Sequence, residues 1–277
     1  MFLLCAYLLM KVGDMQAFKA NQYIKGPNTF SPCQVCRIQG CRNPTLHKNY
    51  YYPLMAPAEG AVGIDHMPPQ SWYPCKLPPH TDQGYKNSIA FIQAGDTQTE
   101  HDHRAKMQGI NGKSILVYLP GFSRSASGPH EWMHLILKQL VPGMVDLWTD
   151  RFKGLNKGEG AYQIPRALWE LIGRETAAAC PTIPAVFCRT LPNIATECYL
   201  FTAEARVFWT INLAPCLLEG QLADKYYQHF LMFIDIMKIC LQVVITEEEI
   251  DVLEDMIIKW VQDYEELFFI YSLTSRY

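Results

Sequence analysis

The chain has 277 residues, 49% of them hydrophobic, which is enough to bury a real core and to form one or two domains. A formal net charge of −3 excludes a strongly basic, free-standing nucleic-acid-binding module, though not a catalytic core whose DNA contacts lie on other segments. Ten cysteines would suit a small secreted disulfide framework, but seven of them (Cys5, Cys75, Cys180, Cys188, Cys198, Cys216 and Cys240) are scattered, and the chain does not lack core. Several lie in apolar surroundings, where cysteine behaves as a small hydrophobe. No Asn-x-Ser/Thr sequon with a permitted middle residue occurs, so the expectation is an intracellular protein, nuclear or cytoplasmic.

In chain order, Met1 to Met10 (MFLLCAYLLM) is an apolar run with no basic residue before it and no small-residue cleavage site after it. Ten residues are too few to span a bilayer, so a buried strand is expected and no membrane association. Gly13-Asp14 follows, then a short helical stretch from Met15 to Tyr23 closed by Gly26-Pro27. Residues 31–54 hold a cysteine cluster and the run Tyr50-Tyr51-Tyr52, and the stretch from about 56 to 80 is crowded with proline and glycine and reads as irregular. Residues 85–108, with the polar set QTEHDHRAK, read as a surface helix, and Ser114 to Leu119 (SILVYL), ended by Pro120-Gly121, as a strand.

Beyond it, Glu131 opens an apolar helix running LILKQLVPGMVDLW. Thr202 opens another (TAEARVFWTINL), expected to stop near Pro215. Asp224 opens a third, KYYQHFLMFIDIMKICLQ, apolar nearly all round and so expected to be buried. Thr246 with Glu249 three residues on is a capping box for a fourth, in which Ile250, Leu253, Ile257, Trp260, Val261 and Tyr264 share one face. No internal repeat is visible. The expected fold class is α/β plus all-α, with residues 1–150 as one region and 151–277 as a helical domain.

The strongest chemical signal is Cys33-x2-Cys36-x4-Cys41-x5-His47, four ligand-type residues within fifteen. Zinc takes four thiolate or imidazole donors in a tetrahedron, and a C-x2-C turn presents two thiolates from one side. His66, Cys75 or His80 are alternatives for completing the set, and a reduced cysteine-rich loop without metal is the plainer reading. Asp14, after an apolar run and a glycine, is placed as a strand-end carboxylate that can hold a divalent ion, although a solvated turn aspartate is commoner. His101, Asp102 and His103 are sequence neighbours, which on a helix do not face one another, and are read as solvated surface. Gly109-x-x-Gly112-Lys113-Ser114 fails as a phosphate loop in both spacing and order. His134, on its apolar helix, is read as a hydrogen-bonded core residue rather than a catalyst.

The opening LCAYLLMKVGDMQAF, then KGPNTFSPCQVCRIQGC and NYYYPL, resembles the central region of CACTA (En/Spm-like) DNA transposases in the form common in fungal genomes. The likeness continues in collinear order through GINGKSIL, WMHLILKQLVPGMVDLWTDRFKGL, YQIP, TIPAVF, LPNI and FTAEARVFWTINLAP, spanning most of the chain. The resemblance implies a partial RNase H-like core with a zinc-type Cys/His insertion (about 31–54) and a large helical segment. It also implies DNA as the partner in the intact family, and a triad of acids holding two magnesium ions for phosphoryl transfer. By position Asp14 corresponds to the second acid, and Cys33, Cys36, Cys41 and His47 to the zinc insertion.

The departures from the family are as informative as the matches. The first acid would precede Met1. Glu131 stands where relatives carry an aspartate ahead of Met133, Lys138 stands where a glutamate is expected after His134, and the third acid would lie elsewhere, even beyond Tyr277. The expectation is therefore a truncated, catalytically inactive transposase remnant with structural zinc, binding magnesium only if a triad were complete. The rival class is a non-catalytic helical protein-interaction module with a structural zinc site, self-associating or binding a partner through its helical half. An exposed apolar face on the helix from Asp224 to Gln242 would mark that class.

Overall fold

The computed structural model describes residues 8, 10–26, 29–42, 50–52, 54–55, 63, 65, 67–152 and 160–268. It divides into two compact units, Met1–Glu131 and Trp132–Tyr277.

In the first unit, helix α1 (Met15–Gln22) begins where the Asp14 carboxylate accepts the Ala17 N–H at 2.7 Å and ends at Tyr23, which adopts the left-handed conformation. The polar stretch expected as one surface helix is a pair, α2 (Asp82–Gln93) and α3 (Gln98–Gln108). Two threonines set the starts. Thr81 Oγ1 accepts Gly84 N–H and Thr97 Oγ1 accepts Glu100 N–H, each satisfying an N-terminal donor that the helix leaves unpaired. Tyr85, Ile89 and Ile92 of α2 pack with Ala105 and Ile110 into a small core. Helix α3 ends at Gly109 (φ +67°), and a Cβ there would strike the Ser31 carbonyl, so only glycine lets Ser31 lie this close.

Two sequence expectations are corrected here. Ser114 to Leu119 is not a strand: the Ser114 hydroxyl accepts the Leu116 N–H at 3.1 Å and coils the chain into a single 3₁₀ turn, Ile115–Tyr118. Ile115 and Tyr118 are 79% and 69% exposed, since no neighbouring strand covers them. Among the described residues the only ladder is β1 (Cys41–Arg42) against antiparallel β2 (Tyr50–Tyr51), so the sheet of an RNase H-like core is not seen and the described protein is mostly helical. The strand expected over Met1–Met10 lies almost wholly outside the described residues.

Among its described residues the second unit has helices and no strand. Met133–Leu140 is a π-helix continued by α4 (Val141–Trp148); α5 spans Arg166–Ala179. Helix α6 (Ala203–Phe208) runs through a second π segment, Trp209–Leu213, into α7 (Ala214–Leu218). Thr202 caps α6 through the Ala205 N–H, as its sequence position predicts, but Pro215 does not end the helix. Pro142 and Pro215 each lie two residues beyond a π segment. A proline ring crowds the carbonyl four residues back, and the wider i→i+5 turn gives it room.

Helices α8 (Asp224–Cys240) and α9 (Glu247–Phe268) pack on each other and on the core. The capping box at Thr246 is formed in both directions: Thr246 Oγ1 accepts Glu249 N–H, and the Glu249 carboxylate accepts Thr246 N–H at 2.8 Å. Helix α8 buries Tyr226, His229, Phe230, Phe233, Ile234, Ile236 and Met237, as its all-round apolar pattern predicts, so its apolar residues belong to the core rather than to an open face. Each buried Phe, Ile and Met side chain of α8 contributes about 1.5–3 kcal/mol. His229 and Trp260 stack with centroids 4.7 Å apart, and each ring nitrogen bonds the other's backbone carbonyl, at 3.0 and 3.1 Å. Leu137, Val141, Met144, Val145, Leu147 and Trp148 all join this core, within the unit that begins at Trp132. No helix among the described residues is long and apolar enough to cross a membrane.

Candidate metal centre

The Cys33–Cys36 turn has the hydrogen bonding of a thiolate knuckle. The Cys33 sulfur accepts N–H groups from Val35 at 3.4 Å and Cys36 at 3.3 Å, and the Cys36 sulfur accepts the Ile38 N–H. Backbone donors aimed at sulfur favour negative charge there. The two thiols also bond each other. The Cys36 hydrogen is shared with Cys33, which holds the Cys33 thiol far below its ordinary range and pushes Cys36 far above it. Cys36 is buried and Cys33 is half-buried.

Two histidines reach the knuckle from distant segments, each brought in by backbone pairing. Cys36 and Pro79 form an antiparallel bridge, flanked by Arg37 N–H to Pro78 O and His80 N–H to Val35 O, both 2.8 Å. This places the His80 ring beside Cys33, where it donates to the Cys33 carbonyl and stacks on Tyr85 at 4.7 Å and 16°. Burial lowers the His80 pKa, with the negative charge on Cys33 opposing that shift. On the other side, the buried Gln34 side chain donates to Gly128 O at 3.1 Å and pins the 128–130 segment, and the His130 side chain bonds the Cys33 sulfur.

The frame around these groups is polar but closed. Tyr85 Oη donates to Gln34 O at 3.1 Å, and burial pushes its pKa up to about 12. The Arg124 guanidinium, 5% exposed, lies 4.2 Å over the Tyr85 ring and donates to Gln22 O, with its pKa lowered by burial. Asp82 accepts Ser125 N–H and Oγ–H at 3.0 and 3.2 Å. Burial opposes its ionisation, but the donors of Ser123, Ser125 and Arg124 prevail and hold it below the usual carboxylate range.

Of the four residues expected as zinc ligands, the structure brings Cys33 and Cys36 together. Cys41 is 1% exposed in β1, opposite Tyr51, and His47 lies outside the described residues. Of the alternatives, His80 is at the knuckle, Cys75 is exposed on a single 3₁₀ turn (Pro74–Lys76), and His66 lies outside the described residues. Spacing alone gives no sign of His130, because its approach depends on the Gln34–Gly128 bond across 94 positions. Among the described residues no three of His, Cys, Asp and Glu are already spaced to share one ion. Cys33 is joined to Cys36 and His130 through its side chain and to His80 through its backbone carbonyl.

The other expected site residues have roles and contacts of their own. Asp14 is the cap of α1, and Glu131 closes the first unit. His101 bonds Gly95 O at 2.7 Å, Asp102 accepts from Gln98 at 3.0 Å, and His103 pairs with Asp65 at 3.3 Å, three separate surface contacts as read from sequence. No family model, no curated protein and no solved structure matches the chain.

Proposed function

We propose that this chain is a non-catalytic remnant of a CACTA-type DNA transposase whose Cys33–Cys36 turn holds a structural zinc ion. The observation that carries the metal reading is the knuckle itself: two thiols in contact, both receiving backbone N–H groups, the preparation that sulfur needs to act as a thiolate ligand. Its donor set is soft and nitrogenous, which suits zinc rather than magnesium. When bound, zinc would supply no chemistry beyond cross-linking; the residues order the turn and exclude water.

The transposase reading rests on the collinear motifs, with the RNase H-like core and DNA as features of the intact family. The non-catalytic part is supported by Asp14, whose carboxylate is engaged as a helix cap. Two-metal phosphoryl transfer needs several carboxylates converging on ions about 4 Å apart.

Elemental analysis of the purified full chain tests the metal, with about one zinc expected and loss in a Cys33→Ala, Cys36→Ala double variant. Nicking of supercoiled DNA with magnesium or manganese tests the catalysis, with no cutting expected. Metal-dependent cutting abolished by Asp14→Asn would overturn the non-catalytic reading while favouring the family.

A further inference from the structure

We infer that residues 241–252, the turn from α8 into α9 together with the first turns of α9, are the docking surface for a basic amphipathic segment of a partner protein. The inference depends on neither the zinc nor the transposase reading.

Six of these twelve residues are large apolar side chains left exposed: Leu241, Val243, Val244, Ile245, Ile250 and Val252. Val243 is fully exposed and Val244 is 79% exposed, so both keep their apolar surface in water. Exposed apolar residues are ordinary when they occur singly, but half of a twelve-residue stretch is a concentration that marks binding sites. The surface is also set in advance. The reciprocal Thr246–Glu249 bonds fix the start of α9. Ile245, just before the cap, and Ile250, in the fourth helical position, occupy the two places of a hydrophobic staple, which sets the angle at which the turn enters the helix. A surface ordered before binding loses less freedom on docking.

The charge around these side chains selects the partner. Helix α9 carries nine acids and one base. That base, Lys259, is held by Asp263 at 2.7 Å, and Lys238 in the last turn of α8 is held by Asp235 at 3.1 Å. Glu247, Glu248 and Asp251 are exposed, and among the described residues none of the three has an ion-pair or hydrogen-bond partner. Lysines or arginines flanking an apolar face would meet these acids while the apolar face covers the valines. A second copy seated tip to tip would instead bring the same acids together, and a lipid headgroup would present its phosphate to them, so like charge opposes both.

The test is fluorescence anisotropy of the full chain with a labelled helical peptide that carries leucines on one face and lysines on the other. Saturable binding is expected, and none for the same peptide with glutamates in place of the lysines. Val243→Ser with Val244→Ser is expected to weaken binding by at least about 10-fold, since the complex covers both side chains. Glu247→Gln, Glu248→Gln and Asp251→Asn together are expected to weaken it by at least about 10-fold and to flatten its salt dependence. Val186→Ser with Phe187→Ser, at another exposed apolar pair, is expected to leave it unchanged. All the substituted side chains are exposed, so every variant should keep the wild-type circular dichroism. No binding, equal binding by the valine or the acid variant, or equal binding of the glutamate peptide overturns the inference. Dimerisation of the chain, or its flotation with phosphatidylcholine vesicles, that the valine variant abolishes overturns it in favour of a second copy or a lipid surface.

Discussion

Replacing Gly173 by alanine is expected to destabilise the protein, although the same change in the middle of most helices does the opposite. Alanine gains about 0.8–1 kcal/mol over glycine from helix propensity alone. At Gly173, in the buried face of α5, a Cβ would collide with Asn193 Oδ1 and lie 2.7 Å from Ala195 Cβ. The Asn193 side chain cannot simply swing away, because its Oδ1 accepts Ala195 N–H at 2.9 Å and Thr196 N–H at 3.3 Å and so folds the turn beneath the helix. Overpacking costs about 1–3 kcal/mol, and each lost turn bond about 1 kcal/mol, so the net loss is about 1–4 kcal/mol. Gly143 in α4 is the control: its added Cβ would meet only Phe152 Cε2 at 3.9 Å, an ordinary contact. For a unit of this size about 1 kcal/mol moves Tm by about 2–4 °C. Far-UV circular dichroism melts of the full chain should therefore show Gly173→Ala falling by about 2–16 °C and Gly143→Ala rising by about 2–4 °C. Shifts of the same sign in the two variants would refute the packing argument.

Thr176→Val keeps the shape of a fully buried side chain but removes the acceptor for Trp209 Nε1, 3.0 Å away. Chemical denaturation should register a loss of about 1–3 kcal/mol, whereas Thr176→Ser, which keeps the oxygen, should lose only the methyl term. Thr246→Ala breaks the capping box of α9 and should cost about 1 kcal/mol, and equal stability in the two proteins would mean that the reciprocal bonds contribute nothing. The pKa of His229 is lowered by burial, against weaker upward pulls from its bond to Trp260 O and from Asp263, and its Nδ1 has no buried acceptor to donate to. Because the folded value lies below the unfolded one near 6.5, the unfolded chain binds the extra proton first. The stability held above that pH is then lost as pH falls below it, at about 1.4 kcal/mol per unit. An NMR titration showing His229 protonating at or above pH 6.5 in the folded chain would contradict this.

The helical half was legible because its signals are local. Thr202, Asp224 and the Thr246–Glu249 pair mark helix starts that need only three or four residues of context, and the all-round apolar run of α8 can only be buried. Errors came where a neighbour decides the outcome. Ser114 to Leu119 has the composition of a strand but no partner strand, so its own serine coils it. Pro215 looks like a stop, yet a widened turn ahead of it lets the helix continue. At the candidate site, the C-x2-C spacing is enough to predict that Cys33 and Cys36 meet. The place of His130 is not readable from spacing, because it is set by a side-chain bond from Gln34 to a carbonyl 94 positions away.

The same three-segment arrangement bears on the order in which the chain is made. The knuckle leaves the ribosome well before Pro78–His80, and longer still before Gly128–His130, yet both later segments bond directly to it. At translation speeds of about 5–20 residues per second, the thiols of Cys33 and Cys36 wait about 5–20 s for their last partner. During that interval they are exposed to oxidants and to any chaperone that recognises unpaired chain. Slowing synthesis between residues 80 and 130, with rare codons for example, should therefore lower the yield of correctly folded protein more than the same delay placed after residue 131, when the first unit is already whole.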